Sequence, residues 1–308
     1  MRLAREDRGG DHAAGLGTLD SADGRSSLEP GRGNRITSLC CRVLASPSKG
    51  RQESDCMISA IGIWVVRKEA EELGRCLEVR LGGHLGGLDC SGGETNHLAF
   101  TSRWASYRQW VLVMTTGIAV RYLAGLIKDK RTDPGVVVID EGCRFAVSLL
   151  GGHEGGANDL AYRVANLTGA VPVVTTATET LKPLVVGLGC RKGIRADDID
   201  AAVRQALLTV SRTQAEVREI ATIDVKAEEP GILDWCDQTG VPLRVIPRTL
   251  IRERPWVTNA SAWVREKVGV DGVCEPCALL ATFRGRLILP KIASNGVAVA
   301  IVEEASGL

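Results

Sequence analysis

The strongest constraint on the fold of this 308-residue chain is a repeated alternation of short apolar runs with segments that have helical spacing. Residues 136–139 (Val-Val-Val-Ile) are consecutive β-branched residues, which is typical of a strand buried on both faces. Residues 110–115 form a second apolar run, and helical spacing follows it over residues 118–127. Strands that alternate with helices predict an α/β fold with mainly parallel sheets. Ligand sites in such folds lie at the carboxyl ends of the strands.

The same reasoning assigns elements along most of the chain. Further strands are predicted at residues 58–66, 77–81, 144–150 and 171–176, from 184 and from 220, and at 243–246, 287–289 and 297–302. Further helices are predicted at residues 68–76, 197–210, 231–239, 261–268 and 273–281, and one follows residue 157 and stops at Gly169. Residues 82–107 are rich in glycine and are predicted to be an irregular loop.

The chain is predicted to contain two α/β domains, residues 57–182 and 183–308, with the junction at Lys182 and Pro183. Residues 1–56 contain no Phe, Trp or Tyr and are rich in Gly, Ser, Arg and Asp, so they are predicted to be a disordered extension. They lack the apolar segment of a secretory signal. Met57 opens the first predicted strand, and we expect it to be the true start of the protein.

Composition excludes several classes of function. The net charge is only +1 and aromatic residues make up 4% of the chain, so neither bulk binding of nucleic acid nor a base-stacking surface is expected. No apolar run approaches the length of a membrane-spanning helix, and no membrane partner is predicted. The ten cysteines are scattered along a chain without a signal sequence, which favours reduced thiols and a cytoplasmic location.

A glycine-rich loop at residues 151–156 (Gly-Gly-His-Glu-Gly-Gly) follows one predicted strand and precedes a helix. Glycines let a backbone approach a ligand closely, and a helix N-terminus attracts anions. The loop also carries His153 and Glu154, which makes it the first candidate site. Its spacing matches neither a P-loop nor a dinucleotide-binding fingerprint. The alternative interpretation is a tight turn with an exposed histidine and helix-capping residues.

Other polar residues follow predicted strands. Thr116, Arg191 and Asp224 each lie just past a strand end, and a cluster such as Arg191-Lys192 can bind carboxylates. Lys128 lies in a charged connector for which a solvated linker is the alternative. Cys274 and Cys277 have the spacing of a redox or metal motif, but the second ligand pair of a zinc site is missing. We therefore interpret them as packed thiols.

Several blocks of the chain, in order, closely resemble the CbiG family, the cobalt-precorrin-5A hydrolases of the anaerobic cobalamin pathway. In the first domain the resemblance is carried by residues 116–121, 128–138, 140–141, 148–158 and 172–178. The second domain is similar to the C-terminal domain that this family shares with the CobE proteins. That similarity is carried by residues 187–193, 221–228, 272–276, 290–291 and 294–296.

The resemblance implies an enzyme that opens a lactone on a cobalt-containing corrinoid and releases acetaldehyde. It implies His153 as the base that activates water, with help from Glu141 or Asp224, and the N–H groups of Gly155 and Gly156 as oxyanion donors. The implied substrate contacts are Thr116, Gly117, Arg121, Lys128, Gly155, Gly156, Asn158, Arg191, Lys226, Glu275 and Lys291.

No metal ligands and no cofactor are implied, because the substrate carries the cobalt. The implied partners are the cobalt-corrinoid intermediate and neighbouring enzymes of the pathway. A corrinoid carrier without catalytic activity is the alternative function.

The chain departs from the family pattern at three places. The family usually has an apolar residue where Glu154 stands, so Glu154 is not expected to be essential. Many members have a further segment between the domains, whereas residues 178–183 join them almost directly here, which implies a more open site. Cys277 stands where the family does not require cysteine, which favours the structural interpretation of that pair.

Overall fold

A computed structural model of the chain describes residues 61–87, 95–254 and 256–305. The predicted disordered extension and the predicted start at Met57 lie outside these residues. The described residues form helices and two β-sheets, which confirms the predicted α/β class with mainly parallel strands. None of the helices in these ranges is both long enough and apolar enough to cross a membrane.

The first sheet has the strand order β2-β1-β3-β4-β5-β6. Its strands are β1 (Ile61–Val65), β2 (His84–Gly86), β3 (Gln109–Val113), β4 (Gly135–Ile139), β5 (Phe145–Leu150) and β6 (Val171–Val173). Strands β1 to β4 run parallel to one another, but β5 pairs antiparallel with β4, and β6 is parallel to β5. Only residues 140–144 separate β4 from β5, and this is too short for the crossover that parallel strands need.

The antiparallel direction of β5 determines which loops lie at the same edge of the first sheet. We define the carboxyl edge of the first sheet as the edge where β3 and β4 end, and the amino edge as the edge where they begin. Leu150, the last residue of β5, pairs with Val136 near the start of β4. The loop that follows β5 therefore lies at the amino edge, away from the residues that follow β3 and β4.

The described helices before residue 183 are α1 (Glu71–Leu81), α2 (Asn96–Arg103), α3 (Thr116–Leu123), α4 (Ala157–Thr168) and the short α5 (Ala177–Thr180). The strand predicted at residues 77–81 is wrong, because these residues continue α1. Leu73, Leu77 and Leu81 recur at helical spacing and are all buried, and the helix ends at Gly82 with a φ of 67°.

The prediction of an irregular loop at residues 82–107 is wrong in its described parts, which contain β2, α2 and a 3-10 turn at Trp104–Ser106. Phe100 and Trp104 from this segment pack with Trp64 and Trp110 in one buried aromatic cluster. Gly62 makes room for the cluster, since a Cβ there would lie 2.4 Å from the Trp110 ring. Aromatic packing, rather than hydrophobic periodicity, orders this segment.

The second sheet has the strand order β10-β11-β7-β8-β9, with β7, β8 and β9 parallel and β10 and β11 forming an antiparallel hairpin. The strands are β7 (Leu184–Cys190), β8 (Val217–Ile223), β9 (Leu243–Ile246), β10 (Gly285–Ser294) and β11 (Val297–Glu304). The helices are α6 (Ala196–Thr209), α7 (Pro230–Thr239), α8 (Arg248–Glu253), α9 (Ala262–Val268) and α10 (Cys274–Leu280). The predicted strands and helices after residue 183 occur in the predicted order, but helix α8 was not predicted, and β10 continues to Ser294 through residues predicted to be a connection.

Helix α4 links the two sheets. Nδ2 of Asn166 donates to the carbonyl of Leu243 at 2.8 Å, and the N–H of Val245 donates to Oδ1 of Asn166 at 2.9 Å. The asparagine thus pairs with the edge strand β9 as a neighbouring strand would. Because α4 begins directly after the glycine-rich loop, the loop is attached to a helix that is anchored at both sheets.

Candidate functional site

The glycine-rich loop at residues 151–156 packs tightly against the amino edge of the first sheet. Nε2 of Gln109, at the start of β3, donates to the carbonyls of Gly155 and Gly156 at 3.1 Å each. A Cβ at Gly155 would lie 2.6 Å from the backbone nitrogen of Gly135, at the start of β4. The glycine at this position is therefore required by contact with the protein's own backbone.

The backbone donors of this loop are used within the loop itself. The N–H of Gly155 donates to the carbonyl of Gly151 at 3.0 Å, and the N–H of Gly156 donates to the carbonyl of His153 at 3.2 Å. Because the N–H groups of Gly155 and Gly156 already donate to carbonyls of the loop, the structure argues against their predicted role as oxyanion donors. The side chain of Asn158 is also engaged, since it accepts from Ser148 and donates to Thr176. We therefore assign Asn158 a structural role in fixing the loop.

His153 is exposed at the tip of the loop, and its Nε2 lies 2.5 Å from Oγ1 of Thr178 in α5. Glu154 forms an ion pair with Lys130 at 3.4 Å. The backbone N–H of Glu154 and then the Lys130 ammonium lower the pKa of the Glu154 carboxyl, which keeps it ionised. Lys128 lies in the same connector and is exposed, and its backbone N–H donates to the Asp133 carboxylate at 2.8 Å.

The other predicted residues near the first sheet lie at its opposite, carboxyl edge. Thr116 and Gly117 open α3 after β3, and Nη1 of Arg121 donates to the carbonyl of Gly117 at 2.9 Å. Glu141 follows β4 and lies 3.6 Å from Nε of Arg67. A strand rises about 3.3 Å per residue, so the six steps from Gly135 to Glu141 span roughly 20 Å. The structure does not bring Glu141 to His153.

In the second sheet, the predicted residues meet at the carboxyl edge of the parallel strands. Arg191 follows β7, and its backbone N–H donates to the carbonyl of Gly296 in the β10–β11 turn at 3.0 Å. Gly296 has a φ of 85°, and a Cβ there would lie 2.6 Å from Nε of Arg191. Asp224 follows β8, where its largely buried carboxylate accepts from the N–H of Arg248 at 3.2 Å.

Lys291 and Glu275 also lie in this part of the molecule. Glu275 is 2% exposed, and its carboxylate accepts from the N–H and hydroxyl of Thr258 and from the N–H of Lys291. This residue therefore joins the segment before α9 to strand β10. Among the described residues, the side chains of Arg191, Lys192 and Lys291 form no ion pair. They leave positive charge available for a carboxylate ligand.

The turn that carries Arg191 is held by Glu229, and this contact predicts a pH-dependent stability. Burial opposes ionisation of Glu229, but the Lys226 ammonium at 2.7 Å and the N–H of Gly193 at 2.6 Å outweigh it and lower its pKa. The stability it contributes is present above its unfolded pKa of 4.5 and is lost as the pH falls through the folded value.

We therefore expect Glu229→Gln to lower the free energy of unfolding by about 1–3 kcal/mol at pH 7. The difference in the free energy of unfolding between Glu229→Gln and the wild type should shrink below about pH 4, where the carboxyl of Glu229 becomes protonated. Urea unfolding at a series of pH values measures both quantities. A difference that stays constant from neutral to acidic pH would contradict the assignment.

The thiols of Cys274 and Cys277 are predicted to be inert in the folded protein. They are 2% and 0% exposed, and burial raises the pKa of Cys274 to about 12 and raises the pKa of Cys277 as well. Since the thiolate is the reactive form, neither should react with a thiol reagent at neutral pH. Peptide mapping should find both unlabelled in the native protein and labelled in denaturant. Rapid labelling of the native protein would contradict this prediction.

Among the side chains that the structure describes, no group of three or more His, Cys, Asp and Glu residues could hold a metal ion. The two candidate regions therefore offer polar and charged side chains that can contact a ligand. One region is the His153 loop at the amino edge of the first sheet. The other is the cationic carboxyl edge of the second sheet.

Two family models match the chain in order. The model for the cobalamin synthesis G N-terminal domain matches residues 99–179, and the model for the cobalamin synthesis G C-terminus matches residues 184–302. Both candidate regions fall within these matches. The second sheet, except for its last residues, lies inside the C-terminal match.

Curated relatives agree with these matches. A cobalt-precorrin-5A hydrolase of Salmonella typhimurium is 43% identical over 112 residues, which are 36% of this chain and 31% of that protein. A probable cobalt-precorrin-5A hydrolase of Methanocaldococcus jannaschii is 27% identical and covers 63% of this chain and 85% of its own length. Protein CobE of a Sinorhizobium species is 33% identical and covers 40% of this chain and 81% of its own length. The chain thus spans about a third of the Salmonella relative.

Proposed function

Since the chain belongs to the cobalamin synthesis G family, we propose that it is a cobalt-precorrin-5A hydrolase. The proposed reaction is hydrolytic opening of the lactone on a cobalt-containing corrinoid ring, with release of acetaldehyde and formation of cobalt-precorrin-5B. The observation that carries the proposal is the presence of both domains of this family, in order, over residues 99–179 and 184–302. A probable cobalt-precorrin-5A hydrolase of Methanocaldococcus jannaschii covers 63% of this chain, which is more than either predicted domain alone.

Three cationic side chains near one edge of the second sheet suit such a substrate. Corrinoid intermediates carry several carboxylates at the rim of the ring, and Arg and Lys side chains bind carboxylates by charge-assisted hydrogen bonds. Arg191, Lys192 and Lys291 supply unpaired positive charge at or near the carboxyl edge of the second sheet, where ligands of parallel sheets bind. We propose that these three side chains hold the rim carboxylates.

An ion pair joins the amino edge of the first sheet to the segment that follows β8 of the second sheet. Arg80 lies near the end of α1, and the chain then turns at Gly82 and Gly83 beside the start of β1, at the amino edge of the first sheet. Nη2 of Arg80 lies 3.6 Å from Oε1 of Glu228, which follows β8 of the second sheet. This contact supports a substrate that is held by the second domain and reaches the amino edge of the first.

His153 is the proposed base. Its imidazole takes a proton from a water molecule as the water oxygen bonds to the lactone carbonyl carbon. The bond between the carbonyl carbon and the ring oxygen then breaks, and the imidazolium returns the proton to the departing oxygen. Acetaldehyde leaves in a following step, in which the new hydroxyl loses its proton and becomes the aldehyde carbonyl, the carbon–carbon bond to the macrocycle breaks, and the macrocycle carbon takes up a proton. Histidine is suited to both steps, because of all side chains its ordinary pKa lies nearest to neutral pH.

The activity is tested with purified protein, the lactone substrate and an assay for acetaldehyde. The proposal predicts acetaldehyde in excess of the protein, together with conversion of the corrinoid. A parallel titration followed by corrinoid absorbance measures binding. Tight binding without acetaldehyde would overturn the proposed hydrolase and favour a corrinoid carrier.

A further inference from the structure

Thr178 is held beside His153 by a series of polar contacts that begins in the first sheet. Oγ of Ser148, in β5, donates to Oδ1 of Asn158 at 2.8 Å. Nδ2 of Asn158 then donates to Oγ1 of Thr176 at 3.0 Å. Thr176 directly precedes α5, so these contacts fix the place at which the helix of Thr178 begins.

Gly152 allows the two segments to pack on each other. A Cβ at this position would lie 2.7 Å from Cγ2 of Thr176 and 2.8 Å from Oδ1 of Asn158. The next residue is His153, whose Nε2 lies 2.5 Å from Oγ1 of Thr178. The pairing of the imidazole with this hydroxyl is therefore a consequence of how the loop and α5 are built.

We propose that Thr178 is a positioning residue that accepts a hydrogen bond from Nε2–H of His153 and leaves Nδ1 as the nitrogen that receives the proton. A neutral imidazole has one N–H group and one acceptor nitrogen, so a proton fixed on Nε2 places the lone pair on Nδ1. The catalytic part of this inference rests on the proposed hydrolase function. The pairing itself does not.

The proton balance of the proposed step is complete within the site. Nδ1 takes one proton from the attacking water, whose oxygen bonds to the lactone carbonyl carbon. When the ring carbon–oxygen bond breaks, Nδ1–H returns that proton to the departing alkoxide. Nε2 keeps its proton throughout, and the hydroxyl of Thr178 stabilises the imidazolium by continuing to accept from it.

The test uses the full chain labelled with ¹⁵N-histidine, without substrate. The chain has four histidines, and His153→Ala identifies the signals of His153. At about pH 9, where an ordinary imidazole is neutral, the wild type and Thr178→Ser should show ring ¹⁵N shifts of the Nε2–H tautomer alone. In Thr178→Val the two shifts should move toward each other as the second tautomer becomes populated.

Thr180→Val is the matched control. Thr180 lies in the same short helix, but its hydroxyl donates to the carbonyl of Ala177 at 2.9 Å. The ¹⁵N-histidine spectrum of Thr180→Val should equal that of the wild type. With substrate, Thr178→Val should lower kcat about 10-fold and leave KM unchanged. Thr178→Ser, which keeps the hydroxyl, should have the kcat of the wild type.

Two results would overturn the positioning role. One is a His153 spectrum in Thr178→Val that equals the wild-type spectrum. The other is a wild-type protein whose His153 already populates both tautomers. If the expected spectra are found but the wild type releases no acetaldehyde, the pairing stands and the proposed hydrolase function fails.

Discussion

His153→Ala should lower the rate of acetaldehyde release by about 10²–10⁴-fold, the usual contribution of a general base. The imidazole is exposed at the tip of the 151–156 loop, and its one described hydrogen bond is to Thr178, so its removal leaves the packing of the loop intact. The loop is held instead by Gln109 and by its own backbone. The circular dichroism spectrum and the unfolding midpoint should therefore stay at wild-type values.

Glu154→Gln is the matched control for this substitution. Glu154 is the next residue of the same loop, and its carboxylate pairs with Lys130 on the surface. Removal of its charge should change the rate by less than about 2-fold, since exposed ion pairs contribute little. Equal losses in the two variants, or full activity of His153→Ala, would contradict the assignment of His153 as the base.

Trp110→Ala should lower the free energy of unfolding by about 3–5 kcal/mol, the usual cost of removing a large aromatic side chain from a core. Trp110 is 1% exposed, packs on Phe100 with ring centroids 4.9 Å apart, and donates from Nε1 to the carbonyl of Trp104 at 3.1 Å. Its loss would leave a cavity above Gly62 and an unpaired carbonyl.

Trp263→Ala provides the comparison, because Trp263 is 60% exposed on α9 and should change stability by no more than about 0.5 kcal/mol. Urea unfolding followed by circular dichroism measures both variants. Similar midpoints for the two variants would show that residues 95–107 are not packed on the first sheet by the aromatic cluster.

The segment tested by Trp110 is also where prediction from the sequence failed. Strand β4 was predictable because its β-branched residues are buried on both faces. Helix α2 was not, because Phe100 packs on Trp64, which lies more than thirty residues earlier, and Trp104 packs on Phe100. Such contacts leave no local period in the sequence.

For the candidate site, the sequence indicated the His153 loop but not its surroundings. The short connection of residues 140–144 could have revealed that β5 is antiparallel to β4, and hence that Glu141 and His153 lie at opposite edges. The support given by Gln109 could not be predicted, because it depends on the register that places the start of β3 beside this loop. The role of Thr178 depends in the same way on the packing of α5.

Hydrolysis in H₂¹⁸O tests the central claim most directly. If water attacks the lactone carbonyl, the wild-type protein should release acetaldehyde and place ¹⁸O in the newly formed carboxylate of the corrinoid, as mass spectrometry can detect. His153→Ala should do so far more slowly. Corrinoid that is bound and recovered unchanged, or acetaldehyde released without ¹⁸O in the carboxylate, would contradict hydrolysis of the lactone by this protein.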